Sequence, residues 1–282
     1  MPAPPDGARN FVLLVLDSCR FDSLVAARPR TISRLGEIQR RFSYATWTAP
    51  SHYNLLMGLL PHPAPTNVFA SAWYQRDLAR FEERLGITGL GFEALLPRLW
   101  LPTYLRSIGY KTRALVSMPV LNPATPLAAD FDSYESMARH NDLAAMIPRL
   151  RFSDEHPTFT LLNTGETHYP YAPPDEPESQ WPRIHGVHGV FKRLGAGQLV
   201  HASEAPRYFN QARLDQLRRR QILSIDAVDA AVEMLFDALP ANTWVTITSD
   251  HGELFGEDGY FGHGPIPHRK VLEVPLVEGL LR

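Results

Sequence analysis

The sequence predicts an α/β fold in which a largely parallel central sheet is covered on both faces by helices. Two observations carry this. Uninterrupted apolar runs recur at residues 11–16, 112–117, 158–163, 243–249 and 274–277, each too short for a helix and the right length for a fully buried strand. Between them lie segments with helical spacing. The clearest is 214–239, where Leu217, Ile222, Ile225, Val228, Val232 and Leu235 form one stripe. A chain of 282 residues, 44% hydrophobic and 21% charged, is long enough to bury a sizeable core.

We read residues 1–282 as a single catalytic domain. Residues 73–100 have helical character with looser patterning and are expected to form an inserted lid or subdomain. Residues 169–206 are dense in Pro, Gly and His without a period and are expected to form a long loop. A formal charge of −2 and a pI near 6.6 give no electrostatic case for nucleic acid or an anionic membrane. The apolar run 11–16 is too short to span a bilayer and lacks the flanks of a signal peptide, so a cytoplasmic protein is expected. The single cysteine, Cys19, excludes an internal disulfide and a cysteine-rich zinc site, and reads as a buried thiol. Eleven histidines are the richer source of metal ligands.

Ligands of open α/β sheets gather at the carboxyl ends of strands, and three of the apolar runs end in residues able to hold a metal. The first ends at Asp17, in the segment Asp17-Ser18-Cys19-Arg20-Phe21-Asp22. The run 158–163 leads into Thr164-Gly165-Glu166-Thr167-His168. The run 243–249 leads into Asp250-His251-Gly252-Glu253, with Gly262-His263-Gly264 shortly after. One Asp after a strand is ordinarily a cap or turn residue. Three such endings, bringing histidines beside carboxylates, point to a metal centre instead.

A further segment, Thr46-Trp47-Thr48-Ala49-Pro50-Ser51-His52, precedes Leu55-Leu56-Met57-Gly58. Hydroxyls before an apolar run with an early Pro make a helix start. The same place favours an anion, because free N–H groups and the helix dipole point at it. A threonine hydroxyl beside a metal there is a candidate alkoxide nucleophile.

In order along the chain, these segments resemble those of the alkaline phosphatase superfamily. Asp17 matches its first metal-ligand segment. Thr48-Ala49-Pro50-Ser51-His52 resembles the nucleophile segment that sulfatases write as Cys-x-Pro-Ser-Arg. Leu105-Arg106-Ser107-Ile108-Gly109-Tyr110-Lys111-Thr112 resembles the helix-to-strand passage. Thr164 to Pro170 resembles the histidine segment of phosphoethanolamine transferases and lipoteichoic acid synthases. Asp250-His251-Gly252-Glu253 with Gly262-His263-Gly264 resembles their second ligand segment. The resemblance implies an alkaline-phosphatase-like α/β/α sandwich. It also implies one divalent metal, zinc or manganese rather than calcium, held by Asp17, Thr48, Asp250 and His251. Thr48 would attack phosphorus or sulfur. His168 and His263 would bind the transferred group, protonate the leaving group or help to hold a second metal, and His52 is a candidate substrate contact.

Three departures separate the chain from cysteine-type sulfatases. Thr48 stands at the nucleophile position, Asp17 is followed by Ser18 rather than a second aspartate, and no Gly-Lys-x-His follows Thr112. These favour a hydrolase of a small phosphate or phosphonate ester acting through a covalent threonine intermediate. The alternatives are a phosphotransferase to a hydroxyl acceptor, a sulfatase, and a non-catalytic metal-binding domain.

Overall fold

The computed structural model describes residues 10–64, 80–88, 100–182, 184 and 210–281. Its centre is a seven-stranded sheet of strands β1 (Phe11–Leu16), β2 (Gln39–Phe42), β3 (Lys111–Val116), β4 (Ser133–Ser136), β5 (Thr158–Thr164), β6 (Trp244–Thr248) and β9 (Glu273–Leu280), in the order β2-β9-β6-β1-β5-β3-β4. A separate two-stranded ribbon joins β7 (Leu254–Phe255) to β8 (Phe261–Gly262). Helices among the described residues include α1 (Phe21–Ala27), α2 (Ile32–Leu35), α3 (Thr48–Leu56), α4 (Leu101–Ser107), α5 (Gln211–Ala238) and α6 (Arg269–Leu272).

Strand β1 explains the layering. All six of its residues are buried, as a strand in the middle of a covered sheet must be. Because side chains alternate across the sheet, Phe11, Leu13 and Val15 enter one core with Leu55 and Leu56 of α3, Leu101 and Leu105 of α4, and Phe81 and Leu85. Val12, Leu14 and Leu16 enter the opposite core with Leu24 of α1, Ile32 of α2, and Ile225, Val228, Val232 and Leu235 of α5. Each such buried side chain contributes roughly 1.5–3 kcal/mol of burial free energy. Asp229, also on α5, turns its carboxylate to the N-terminus of α2 and accepts from the backbone N–H of Arg30 (2.8 Å), Thr31 (3.0 Å) and Ile32 (2.8 Å).

Strands β1, β3, β4, β5 and β6 run parallel, so their carboxyl ends share one edge. The last strand is different. β9 is antiparallel to β6 and β2, and it runs from Glu273 to Leu280, beyond the expected 274–277. Strands β2 and β4 were not among the apolar runs: both are short sheet edges, and three of the four residues of β2 are polar. The stripe at 214–239 is helix α5, within a residue or so at the C-terminal end. Within the expected insertion, residues 80–85 are helical, and 73–79 and 89–99 lie outside the described residues. Of the expected loop, residues 169–182 contain turns and one 3-10 turn at Glu178–Gln180; 183 and 185–206 lie outside the described residues. No described helix is long and apolar enough to cross a membrane.

Candidate active site

Sheet register sets the site. Leu16 pairs with Thr164 and Val15 with Thr248, so Asp17 emerges level with Gly165 on one side and Asp250 on the other. The Asp17 backbone N–H still bonds Thr164 O (2.9 Å), and Ser18 then turns the chain with φ 61°. The turn docks onto the opposite loop: Ser18 N–H donates to Asp250 Oδ1 (3.1 Å) and Cys19 N–H to Ser249 Oγ (2.9 Å). Gly252 lets that loop pass close to α6, since a Cβ there would lie 2.2 Å from Lys270 O.

Asp17, Asp250 and His251 each present a ligand atom, and these atoms lie within 4.8 Å of one another. All three residues are at most 1% exposed, which is costly for two carboxylates unless a cation joins them. Burial and the neighbouring Asp250 push the Asp17 carboxyl above its usual range. Burial, then the charge of His263, pushes His251 down to about 3, so its imidazole is neutral. Its Nδ1–H donates to Gly252 O (2.9 Å), leaving the Nε2 lone pair facing Asp250 Oδ2 at 3.3 Å and Asp17 Oδ1 at 3.9 Å. Asp250 Oδ2 is a buried oxygen with no hydrogen-bond partner among the described residues. A lone pair and two carboxylate oxygens turned on one another form a donor set that fits a divalent metal.

Thr48 completes the cluster. It is the first residue of α3, after Trp47 in extended conformation, and its Oγ1 lies 3.4 Å from Asp17 Oδ1 and 3.3 Å from His251 Nε2. As the first residue of α3 it stands at a helix N-terminus, where the dipole and backbone N–H groups favour an anion.

His52, expected as a substrate contact, is instead a brace. It is 1% exposed and both ring nitrogens are occupied: Nδ1–H donates to Thr48 O (2.8 Å) and Nε2 accepts from Asn163 Nδ2 (3.3 Å). A histidine one helical turn after Thr48 lies beneath it on the same face. Asn163 also donates to Asp17 Oδ2 (3.1 Å), so a single amide holds the first carboxylate and the helix that carries Thr48.

His168 and His263 lie on the outer side of the cluster. The His263 ring is 4.2 Å from that of His251 and 5.4 Å from that of His168, centre to centre. His168 Nδ1–H donates to Tyr169 O (2.8 Å). His263 Nδ1 pairs with Glu253 Oε1 (2.8 Å), while Tyr171 donates its hydroxyl to Glu253 Oε2 (2.7 Å). Burial opposes a charge on His263. Glu253, followed by Asp17 and Asp250, overrides it and holds the ring up to about 9, so it is protonated at neutral pH. Asn163 and Glu253 were given no role from the sequence. Glu253 and Asn163 stood inside or beside the quoted segments, but nothing in the chain showed which group each would grip. Cys19 is buried and its thiol is raised, by burial first, beyond any reactive range.

The sulfatase family model matches residues 9–277, nearly the whole chain. Among solved structures, the C-terminal periplasmic domain of EcEptC from Escherichia coli, in complex with zinc, superposes with a TM-score of 0.56 at 16% identity, covering 98% of this chain and 73% of that one. The phosphonate monoester hydrolase of Agrobacterium radiobacter gives 0.56 at 17% identity over 96% and 68%. The soluble domain of lipooligosaccharide phosphoethanolamine transferase A from Neisseria meningitidis gives 0.52 at 14% over 100% and 80%. No curated protein sequence matches. With a family match of this extent, and solved structures of the same α/β architecture beside it, the chain belongs to the sulfatase family.

Proposed function

We propose that this protein is a metal-dependent hydrolase of a small phosphate or phosphonate ester, working through a covalent ester of Thr48. One observation carries the reading: the Thr48 hydroxyl sits within 3.4 Å of both Asp17 and His251, in a cluster where Asp250 Oδ2 has no hydrogen-bond partner among the described residues. Asp17, Asp250, His251 and the Thr48 oxygen would hold the metal, zinc or manganese by the chemistry of two carboxylates and an imidazole. When bound, it supplies positive charge at the ester oxygens and lowers the pKa of the hydroxyl it touches.

The chain's own residues supply the rest. Thr48 Oγ1, its proton passed to solvent water, attacks the phosphorus in line with the departing oxygen, whose bond to phosphorus breaks as the new one forms. The α3 N–H groups stabilise charge on the non-bridging oxygens. His263, charged and oriented by Glu253, gives its proton to the leaving oxygen, and His168 beside it binds the transferred group. Water then displaces Thr48 from phosphorus, with His263 taking back a proton; an alcohol in place of water makes the same step a transfer. The missing second aspartate and Gly-Lys-x-His favour phosphoryl over sulfuryl substrates.

The test is turnover of matched aryl phosphate, phosphonate and sulfate esters with added zinc or manganese, and quenched peptide mass spectrometry for an adduct on Thr48. Thr48→Ala is expected to keep its metal and lose at least about 1,000-fold in kcat. Full activity in Thr48→Ala, or sulfate turnover alone, would sink the proposal. Formation of a new ester in added alcohol would identify a transferase.

A further inference from the structure

Arg20 is among the largest fully buried side chains, 2% exposed, three residues after Asp17. Its guanidinium donates to three residues, one in its own segment and two in the loop that follows β6. Nε and Nη2 grip the Asp22 carboxylate in parallel, at 2.8 and 2.7 Å. Nη1 donates to the backbone carbonyl of Glu253 (3.2 Å) and to Glu257 Oε1 (2.6 Å). The group also lies over the Phe255 ring, 5.4 Å from its centre.

These contacts continue a row. The loop after β1 meets the loop after β6 through Ser18 and Asp250, then Cys19 and Ser249, then Arg20 and Glu253. The first loop carries Asp17 and the second carries Asp250 and His251. Glu257 turns back to accept from Phe255 N–H (2.6 Å), which fixes the far end of the second loop. Asp22 also receives Lys270 Nζ (2.9 Å), whose own backbone abuts Gly252. The network therefore clasps the second ligand loop from both sides. A buried ion network of this kind is a weak source of stability, because desolvation offsets the attraction. Its geometric effect is stronger: the planar fork fixes distance and angle together.

We infer that Arg20 is a positioning residue for the metal centre, holding the Asp17 loop and the Asp250-His251 loop at ligand spacing before metal arrives. The inference rests on the metal reading proposed above and concerns how that site is pre-set. A lysine keeps the charge at this place. It cannot hold Asp22 in parallel while also reaching the Glu253 carbonyl and Glu257.

The experiment measures the zinc dissociation constant of the full chain by competition with a chromogenic chelator. Wild type, Arg20→Lys and Glu257→Gln are compared, with thermal unfolding of the metal-free proteins and kcat at saturating zinc alongside. The expected result is a zinc constant raised about tenfold or more in Arg20→Lys and less in Glu257→Gln, as for other groups that orient ligands. Saturating zinc should recover most of kcat. An unchanged zinc constant in Arg20→Lys with a lowered unfolding temperature would overturn the inference and leave Arg20 as scaffold. If Arg20→Lys does not fold, Glu257→Gln decides: a raised constant supports the inference, an unchanged one overturns it. Wild type that binds no zinc fails the metal reading itself, visibly and before any variant is compared, and the inference falls with it.

Discussion

Asp250→Asn should move two properties in opposite directions. In the wild type, Asp250 Oδ1 accepts from the N–H groups of Ser18 (3.1 Å) and His251 (2.9 Å), and asparagine keeps an oxygen for both. Oδ2, which has no hydrogen-bond partner among the described residues and lies 3.3 Å from His251 Nε2, becomes an amide N–H₂ that can donate to that lone pair. The metal-free protein loses a buried charge that repels Asp17 and gains a hydrogen bond, a relief of about 1–3 kcal/mol. For a chain of this size each kcal/mol raises the unfolding temperature by about 2–4 °C. Metal binding loses an anionic ligand and meets a donor. Spreading the roughly 10–16 kcal/mol of a four-ligand zinc site evenly gives about 3 kcal/mol per ligand, or roughly 100-fold in affinity. Differential scanning calorimetry with and without zinc reads both effects, since zinc stabilises only the form that binds it. A metal-free variant less stable than wild type, or one that zinc stabilises equally, would refute the reasoning.

Three further expectations follow from the geometry. Glu253→Gln preserves an acceptor for His263 Nδ1 but removes the charge that holds that ring up to about 9; kcat should fall about 100-fold for esters with poor leaving groups, much less for activated aryl esters, and the alkaline limb of the rate profile should move to lower pH. Asp229→Ala leaves three backbone donors of the α2 N-terminus without their shared carboxylate, which should cost about 1–2 kcal/mol in urea unfolding without altering metal affinity. Burial, then the charge of His168, pushes His140 down to about 4 from an unfolded value near 6.5. The unfolded chain therefore binds the proton first, and this contribution to stability is present above pH 6.5 and lost as pH falls through 4; His140→Gln should show a flatter fall of unfolding temperature across that window.

What could be read from the chain follows from what each element must satisfy. β1, β5 and β6 are buried on both faces, so they are written as unbroken apolar runs that end abruptly where the cleft begins. That ending exposed Asp17, Asp250 and His251. β2, with Arg40 and Arg41, forms an edge and needs no such run. The antiparallel course of β9 was equally invisible, because hydrophobic period carries no direction. Partner choice was hidden too. His52 stands where sulfatases carry arginine, yet Asn163, 111 residues away, turns it from a substrate contact into a brace. Arg20 and Glu253 look in sequence like ordinary charged loop residues, and only their burial reveals that they grip something.

The central position of β1 has a consequence for biogenesis. This strand precedes both of its hydrogen-bonding neighbours by a long stretch of chain, since β5 and β6 begin only at Thr158 and Trp244. A nascent chain carries a fully apolar hexapeptide with no hydrogen-bonding neighbour until β5 has been made, a long-range topology that slows folding and invites association with other chains. The candidate ligand cluster spans the same gap, from Asp17 to His251, so on the proposed metal reading the site is complete only once the sheet itself has closed.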